Sequence, residues 1–220
     1  MKAPDLMTTP DDLEAKRRFI EAFFDDLEQK CAFLLELDRM GRQDEARALC
    51  CLYIDGLGNW LHPNSSKSAR NFVETLLDYS DETTLMLVIP KHLSEHLPKN
   101  SAPKGSIASI TAILAQLPTN EAFSLQKFKA KLAALQPDHR QWLESELWRG
   151  TIAAVVYERI RNPIVHQLGS AGGLLLMSIT HEGASVDVVN LAMLHRALMR
   201  IIAFARQISE NTSNWFGHSD

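Results

Sequence analysis

The residues best suited to chemistry lie in one short run, residues 161–166, which reads RNPIVH. Arg161 offers a permanent positive charge and a planar set of donors that suits a phosphate group. His166 can take or give a proton near neutral pH. Asn162 followed by Pro163 favours a helix start, with Asn as the N-cap and Pro at the first helical position. A bend at that point would bring Arg161 and His166 into one region, with the Asn162 side chain beside them for hydrogen bonding.

An Arg-Asn-x-x-x-His sequence at the end of a long predicted helix resembles the motif of the HEPN (higher eukaryotes and prokaryotes nucleotide-binding) superfamily. In that motif four to six residues lie between an arginine and a histidine, and a polar residue often follows the arginine. Arg161, Asn162 and His166 match it with four intervening residues. Arg159 matches it with six, and we prefer Arg161 as the motif arginine because Asn162 follows it. The helical layout extends the resemblance loosely over about residues 138–209.

The resemblance implies a metal-independent endoribonuclease that needs no cofactor and acts as a homodimer, in which two copies of the motif form one cleft. His166 would serve as acid and base for attack by the ribose 2′-hydroxyl, and Arg161 would stabilise the phosphate. The products would carry 2′,3′-cyclic phosphate ends. Such an activity suggests a toxin or a defence component with an antitoxin or another protein partner. The alternative is a non-catalytic dimeric module of the same fold that binds RNA or another ligand, or serves as a scaffold.

The last predicted helix, about residues 190–209, carries positive charge and no acidic residue. Arg196 and Arg200 are four residues apart and share one helix face. Together with Arg159 they are the candidate substrate-binding residues, because a phosphate-binding surface needs local positive charge. The alternative is that the arginines of this helix face solvent or pair with the first 60 residues, which hold 13 acidic residues against 8 basic ones.

A pair of histidines, His92 and His96, has the four-residue spacing that allows one helix to hold a metal ion, with Glu95 between them. The HExxH pattern is absent, and no third ligand lies nearby in the sequence. We therefore interpret this pair as part of a solvent-exposed helix face and predict no metal ligands. A metal enzyme built on His92 and His96 is the weaker alternative.

Asp55 and the cysteines are the polar or reactive groups that we expect inside the protein. Asp55 lies in an apolar helical run, so we predict a structural hydrogen bond there, with support of the active site as the alternative. The three cysteines are Cys31, Cys50 and Cys51, and no CxxC motif exists among them. We expect buried, reduced thiols, as in a cytoplasmic protein.

Helical periodicity dominates the chain and predicts an all-α helical bundle of the HEPN-like kind. Apolar residues recur at spacings of three, four and seven along a long first helix that ends at Gly41. Residues 138–161 and 190–209 predict two long helices in the C-terminal part. Between them, residues 174–180 and 184–189 flank a His-Glu-Gly turn, which predicts a small β-hairpin inserted before the last helix.

The length of 220 residues predicts a single helical domain over residues 1–220. N-terminal helices are expected over about residues 11–97, a loop over 98–105 and the HEPN-like portion over about 138–209. A composition of 45% hydrophobic and 23% charged residues excludes a disordered chain. The net charge of −4 excludes a globally basic nucleic-acid binder, although a local basic patch remains compatible with it. No apolar run has the length of a membrane span, so we predict a cytoplasmic protein with no membrane partner.

Overall fold

The computed structural model of the protein describes residues 10–63, 65, 67–162, 178–188 and 190–217. Over these residues the fold is an all-α bundle with a two-stranded antiparallel hairpin before the last helix, which confirms the predicted fold class. The helices are α1 (Pro10–Arg39), α2 (Gln43–Leu61), α3 (Ser68–Tyr79), α4 (Pro90–His96), α5 (Ser106–Leu114), α6 (Leu125–Lys131), α7 (Pro137–Glu146), α8 (Ile152–Val156) and α9 (Leu191–Thr212). The strands are β1 (Ser178–His181) and β2 (Ala184–Asp187).

The main hydrophobic core lies among α1, α2, α3, α8 and α9. Buried residues recur every three or four positions along α1, so one stripe of this helix faces inward. They are Ile20, Phe24, Leu27, Cys31 and Leu34. The other four helices contribute buried residues to the same core, among them Ile54, Phe72, Val155 and Leu198. Because α8 packs inside this core, the core holds in place the helix from which the chain continues to Arg161.

A second, smaller core lies among α4, α5, α6 and α7. Its fully buried side chains include Val88, Leu93, Ile110, Phe128 and Leu143. An extended segment before α4 connects this core to the main one, because the Ile89 N–H donates to the Gly150 carbonyl at 2.8 Å and the Ile152 N–H donates to the Leu87 carbonyl at 2.9 Å. These hydrogen bonds place the start of α4 beside the start of α8.

Gly150 permits the close approach of α4 to the chain before α8. A Cβ atom at this position would lie 2.6 Å from the Cβ atom of Leu93, which is far inside van der Waals contact. Only glycine fits without a shift of the backbone. The packing of α4 against this segment therefore depends on the absence of a side chain at residue 150.

The predicted continuous helix over 138–161 is broken in the structure. After α7, residues Leu147–Gly150 form a 3₁₀ turn, and Thr151 has extended backbone angles (φ −75°, ψ 158°). Thr151 also caps α8, since its hydroxyl accepts a hydrogen bond from the Ala154 N–H at 3.2 Å. Apolar spacing does not reveal this break, because both segments keep their apolar residues inward across it.

The hairpin lies at its predicted position. Ser178 pairs with Asp187 and His181 pairs with Ala184, and the turn between the strands contains Gly183 at φ +81°. The predicted strand residues 174–177 and 189 lie outside the described part of the chain. Among the described helices, none is both long enough and apolar enough to cross a membrane.

Candidate functional site

The first part of the Arg-Asn-x-x-x-His motif follows α8. The chain continues from Val156 as one π-helical turn, Tyr157–Arg161, and Asn162 keeps helical backbone angles (φ −65°, ψ −46°). Turns of this kind are rare and occur frequently at functional sites. His166 lies outside the described residues, so its approach to Arg161 stays a prediction.

The Arg161 guanidinium is held by side chains from three elements. Its Nη2 atom donates to Oδ2 of Asp55 in α2 at 2.9 Å and to Oγ of Ser68 in α3 at 3.0 Å. Its Nη1 atom donates to the Tyr157 hydroxyl at 3.3 Å. The Arg161 side chain therefore joins the π turn to α2 and α3 and is fixed in position.

The Arg161–Asp55 ion pair is largely buried, with side chains that are 12% and 14% exposed. Asp55 is hydrogen-bonded, and its partner is Arg161, so the contact fits both the structural role and the alternative of supporting the site. Two buried atoms of the pair, Asp55 Oδ1 and Arg161 Nε, have no hydrogen-bond partner among the described residues. The pair can therefore still accept one donor at the carboxylate and donate to one acceptor from the guanidinium.

Arg159 differs from Arg161 in its surroundings, although both belong to the π turn. Its side chain is exposed, and no hydrogen bond or ion pair holds it within the described part of the chain. Arg159 is therefore the more accessible of the two candidate motif arginines, whereas Arg161 is the more firmly positioned one.

The candidate RNA-binding arginines of α9 have acidic partners. Arg196 Nε donates to Glu82 Oε1 at 2.9 Å, and Arg200 Nη1 donates to Asp81 Oδ2 at 2.9 Å. Both partners follow α3 and do not belong to α1. Arg196 and Arg200 nevertheless remain 57% and 47% exposed, so their side chains reach solvent. The acidic partners compensate part of the positive charge of this helix.

The third arginine of α9 pairs with the N-terminal helix. Arg206 Nη1 lies 2.9 Å from Asp25 Oδ1 and 3.1 Å from Glu28 Oε1, both in α1. This is the pairing with the acidic first 60 residues that the sequence left open as an alternative. Arg206 therefore stabilises the contact between α1 and α9.

A second polar cluster lies where α4 meets the π turn. His92 and His96 have ring centroids 4.2 Å apart, and Glu158 Oε2 lies 2.9 Å from His96 Nε2 and 3.7 Å from His92 Nε2. The His96 Nδ1–H donates to the His92 carbonyl at 2.8 Å. The predicted exposed helix face is wrong for His92, which is 8% exposed, and sequence reasoning missed Glu158 as its neighbour.

Burial changes the protonation of this second cluster. It lowers the pKa of His92 from 6.5 to about 4, and the nearby charges of His96 and Arg159 act in the same direction. Burial also raises the pKa of Glu158. The His92 imidazole is therefore neutral at neutral pH, with a lone pair available on one ring nitrogen.

The remaining candidates are placed apart from the motif residues. His181 lies in β1, where its Nδ1–H donates to the Ala122 carbonyl at 2.9 Å. It lines a cavity of about 370 Å³ between α6 and the hairpin, together with Phe123, Lys127 and Lys131. The three cysteines are buried and free, as predicted, and burial raises the pKa of Cys31 to about 12.

The partners of the motif were difficult to find in the sequence. Asp55 and Ser68 are separated from Arg161 by 106 and 93 positions, so no local spacing connects them. Tyr157 is the exception, because a residue four positions before Arg161 is its neighbour on a helix. Comparison of the chain with protein-family models, with curated proteins and with solved structures gives no match.

Proposed function

We propose that the protein is a metal-independent endoribonuclease of HEPN type that acts as a homodimer. His166 serves as acid and base, Arg161 stabilises the phosphate, and Asn162 hydrogen-bonds beside them. The observation that carries the proposal is the position of Arg161 and Asn162 at the end of a core helical segment, five and four residues before His166 in the sequence. An all-α bundle supports it as the fold that the resemblance implies.

The chemistry needs three groups, which two copies of the motif would supply. A base takes the proton of the ribose 2′-hydroxyl as its oxygen attacks phosphorus, and an acid gives a proton to the leaving 5′-oxygen. A fixed positive charge stabilises the phosphorane-like transition state. A symmetric interface places the same residues on both sides of its axis, so two His166 side chains can act as base and acid.

The anchoring of Arg161 supports its role in the transition state. A guanidinium held by Asp55, Ser68 and Tyr157 loses little further freedom when phosphate arrives, and preorganised charges stabilise transition states best. The exposed Arg159 adds a second cation on the same turn.

The Arg161–Asp55 ion pair also favours a second candidate function. Asp55 already compensates the charge of Arg161, as expected for a residue whose role is to hold helices together. The protein would then be a non-catalytic dimeric module that binds RNA or another ligand, or a scaffold. In that case Arg161 and His166 stabilise the fold and carry no reaction.

The replacement of His166 by alanine separates the two candidates. For the ribonuclease we expect His166→Ala to lower the rate of RNA cleavage about 10²-fold or more, because a general acid–base group is lost. The melting temperature should match that of the wild type. His139→Ala, which removes a histidine hydrogen-bonded to Ser109 in the second core, is the matched control and should keep full activity.

A scaffold or binding module gives the opposite result. Wild-type protein would then leave transfer RNA and messenger RNA intact, and His166→Ala would lower the melting temperature or change nothing. Sedimentation of the wild type tests the dimer, with two chains per particle expected. A strictly monomeric protein that cleaves RNA would contradict the composite cleft.

A growth experiment tests the proposed cellular role as a toxin or defence component. Induced expression of the wild type should arrest bacterial growth, and expression of His166→Ala should not. Co-expression with an antitoxin or another protein partner should restore growth. Equal growth with both chains would contradict the toxin role and leave the cleavage assay to decide the activity.

A further inference from the structure

The cluster of His92, His96 and Glu158 has the donor set of a transition-metal site. Two imidazoles spaced four residues apart on one helix and a carboxylate from another element are ligands that Zn²⁺ prefers. Ligands at about 2.0–2.1 Å from a tetrahedral ion are separated from each other by about 3.3 Å. The observed separations from Glu158 Oε2, 2.9 Å to His96 and 3.7 Å to His92, lie on either side of that value.

His92 gives an independent indication that a ligand is bound here. Its side chain is 9% exposed, and its Nε2 atom is buried with no hydrogen-bond partner among the described residues. An unpaired polar atom in the interior is unfavourable, so such an atom calls for a partner. The Glu158 carboxylate at 3.7 Å is too distant for a hydrogen bond to this nitrogen. An ion between the two groups would give the His92 nitrogen a partner and keep the carboxylate paired.

The outer contacts of His96 are those of a metal ligand. Its Nδ1 atom lies 2.8 Å from the His92 carbonyl, which can only accept, so Nδ1 carries a proton. Nε2 is the atom 2.9 Å from Glu158 Oε2: with a proton it donates to the carboxylate, and without one it can offer its lone pair to a metal ion. Metal-bound histidines usually donate their other ring N–H to a carbonyl or carboxylate in this way, which fixes the ring orientation.

The charges around the cluster are compatible with a dication. Glu95 lies on α4 with a carboxylate oxygen within 4.8 Å of ligand atoms of both histidines, so these three residues could hold a metal ion, and Glu158 faces the same two histidines from the π turn. The charges of Arg159 and Arg149 act on Glu158 and oppose a cation. Arg149, however, already pairs with Glu146. Near the cluster, the two negative charges of Glu95 and Glu158 therefore outweigh the one exposed positive charge of Arg159.

We propose that His92, His96 and Glu158 bind one Zn²⁺ ion, with Glu95 as the fourth ligand, and that this ion fastens α4 to the π turn. The site is distinct from Arg161 and is independent of the proposed ribonuclease activity. Its role is structural, because four protein ligands leave no open position for water. Sequence reasoning set the histidine pair aside for lack of a third ligand, and Glu158 supplies it through the fold.

Metal content and affinity test the proposal directly. Protein loaded with Zn²⁺ and dialysed should contain one zinc ion per chain by inductively coupled plasma mass spectrometry. Isothermal titration calorimetry with Zn²⁺ should show one binding site. His96→Gln and Glu158→Gln should each weaken Zn²⁺ binding about tenfold or more. His139→Gln, which changes a histidine outside the cluster, should bind Zn²⁺ like the wild type.

A spectroscopic measurement identifies the ligands. Co²⁺ in place of Zn²⁺ should give the intense visible absorption of a tetrahedral site, and Glu95→Gln should change that spectrum. Circular dichroism shows whether each variant is folded, and the partly exposed His96 and Glu158 are chosen because the buried His92 can fail this control. A wild type without bound zinc, or equal affinity in wild type and His96→Gln, would overturn the proposal. RNA cleavage measured in a chelator reports separately on the ribonuclease.

Discussion

The two ends of the π turn differ in the kind of ion pair that holds their polar groups. At Arg161 the guanidinium contacts Asp55, Ser68 and Tyr157, and the charge of the arginine has its counter-ion. At Glu158, three residues earlier, a carboxylate oxygen lies 2.9 Å from His96 Nε2 and 3.7 Å from His92 Nε2, and this His92 nitrogen has no hydrogen-bond partner among the described residues. Both ends keep a buried polar atom without a hydrogen-bond partner among the described residues, but one short turn thus carries an anchor with a permanent charge and a cluster whose pairing depends on protonation.

The difference follows from the chemistry of the side chains. Arginine is always charged, so its burial requires an acidic partner in the folded protein. Histidine and glutamate can change protonation when buried, so their cluster can persist without a fixed counter-ion. The anchor therefore consists of a permanent cation with its own carboxylate, whereas the cluster can respond to protons and metal ions.

The largest expected effect is the loss of the anchor. Asp55→Ala leaves the Arg161 charge largely buried without its partner, and we expect the free energy of unfolding to fall by about 3–5 kcal/mol. Urea denaturation measures it. Asp26→Ala is the matched control, because Asp26 pairs with Lys30 on the exposed face of α1 and should change stability by about 1 kcal/mol or less. Equal effects of the two variants would contradict the anchor.

The pH dependence of stability reports on the cluster in the presence of a chelator. The pKa of His92 is about 4 in the folded chain and 6.5 without burial. Its contribution is therefore fully present above pH 6.5 and is lost as the pH falls towards 4, because only the unfolded chain binds the proton in that range. His92→Gln should reduce this loss, by at most about 3 kcal/mol. Urea denaturation at several pH values in this range measures it. His139→Gln should leave the pH dependence of the unfolding free energy unchanged, and an unchanged pH dependence in His92→Gln would contradict the burial of His92.

The packing of α4 can be tested without touching the anchor. Gly150→Ala places a Cβ atom 2.6 Å from that of Leu93 and should cost about 1–3 kcal/mol of unfolding free energy. It should also weaken Zn²⁺ binding, because α4 carries both histidines. Gly56→Ala in α2, where a Cβ atom meets nothing within 4 Å, is the control and should be neutral or stabilising. If Gly150→Ala left the unfolding free energy unchanged, α4 would be able to shift away from residue 150 without cost.

The smallest effects are expected on α9. Arg196→Ala and Arg200→Ala break exposed ion pairs, so each should change the unfolding free energy by about 1 kcal/mol or less. If these residues contact RNA, each variant should also weaken binding and reduce its salt dependence. Filter binding at several salt concentrations checks this. Unchanged binding in both variants would leave Arg159 and Arg161 as the RNA-contacting cations.

Local patterns predicted most of the fold. The stripe of α1, the hairpin around Gly183 and the extent of α9 all follow from residue spacing and turn chemistry. The break at Gly150 and Thr151 was not predictable in this way, because it depends on the approach of α4 from elsewhere in the chain. The predicted helix over 138–161 is wrong there for that reason.

The candidate site was predictable only in part. The sequence identified Arg161, Asn162 and Asp55 separately, but their relation is set by helices that are distant along the chain. Glu158 was overlooked because its link to His92 and His96 exists only after α4 packs beside the π turn. A ligand set shared between two elements gives no local signal when its members are not spaced as a known motif.

The measurement that tests the central claim most directly is the analysis of RNA ends after incubation in a chelator. Wild-type protein should cleave RNA without metal and leave 2′,3′-cyclic phosphate ends, and His166→Ala of equal melting temperature should leave the RNA intact. Intact RNA with the wild type, or the same cleavage with His166→Ala, would contradict the ribonuclease.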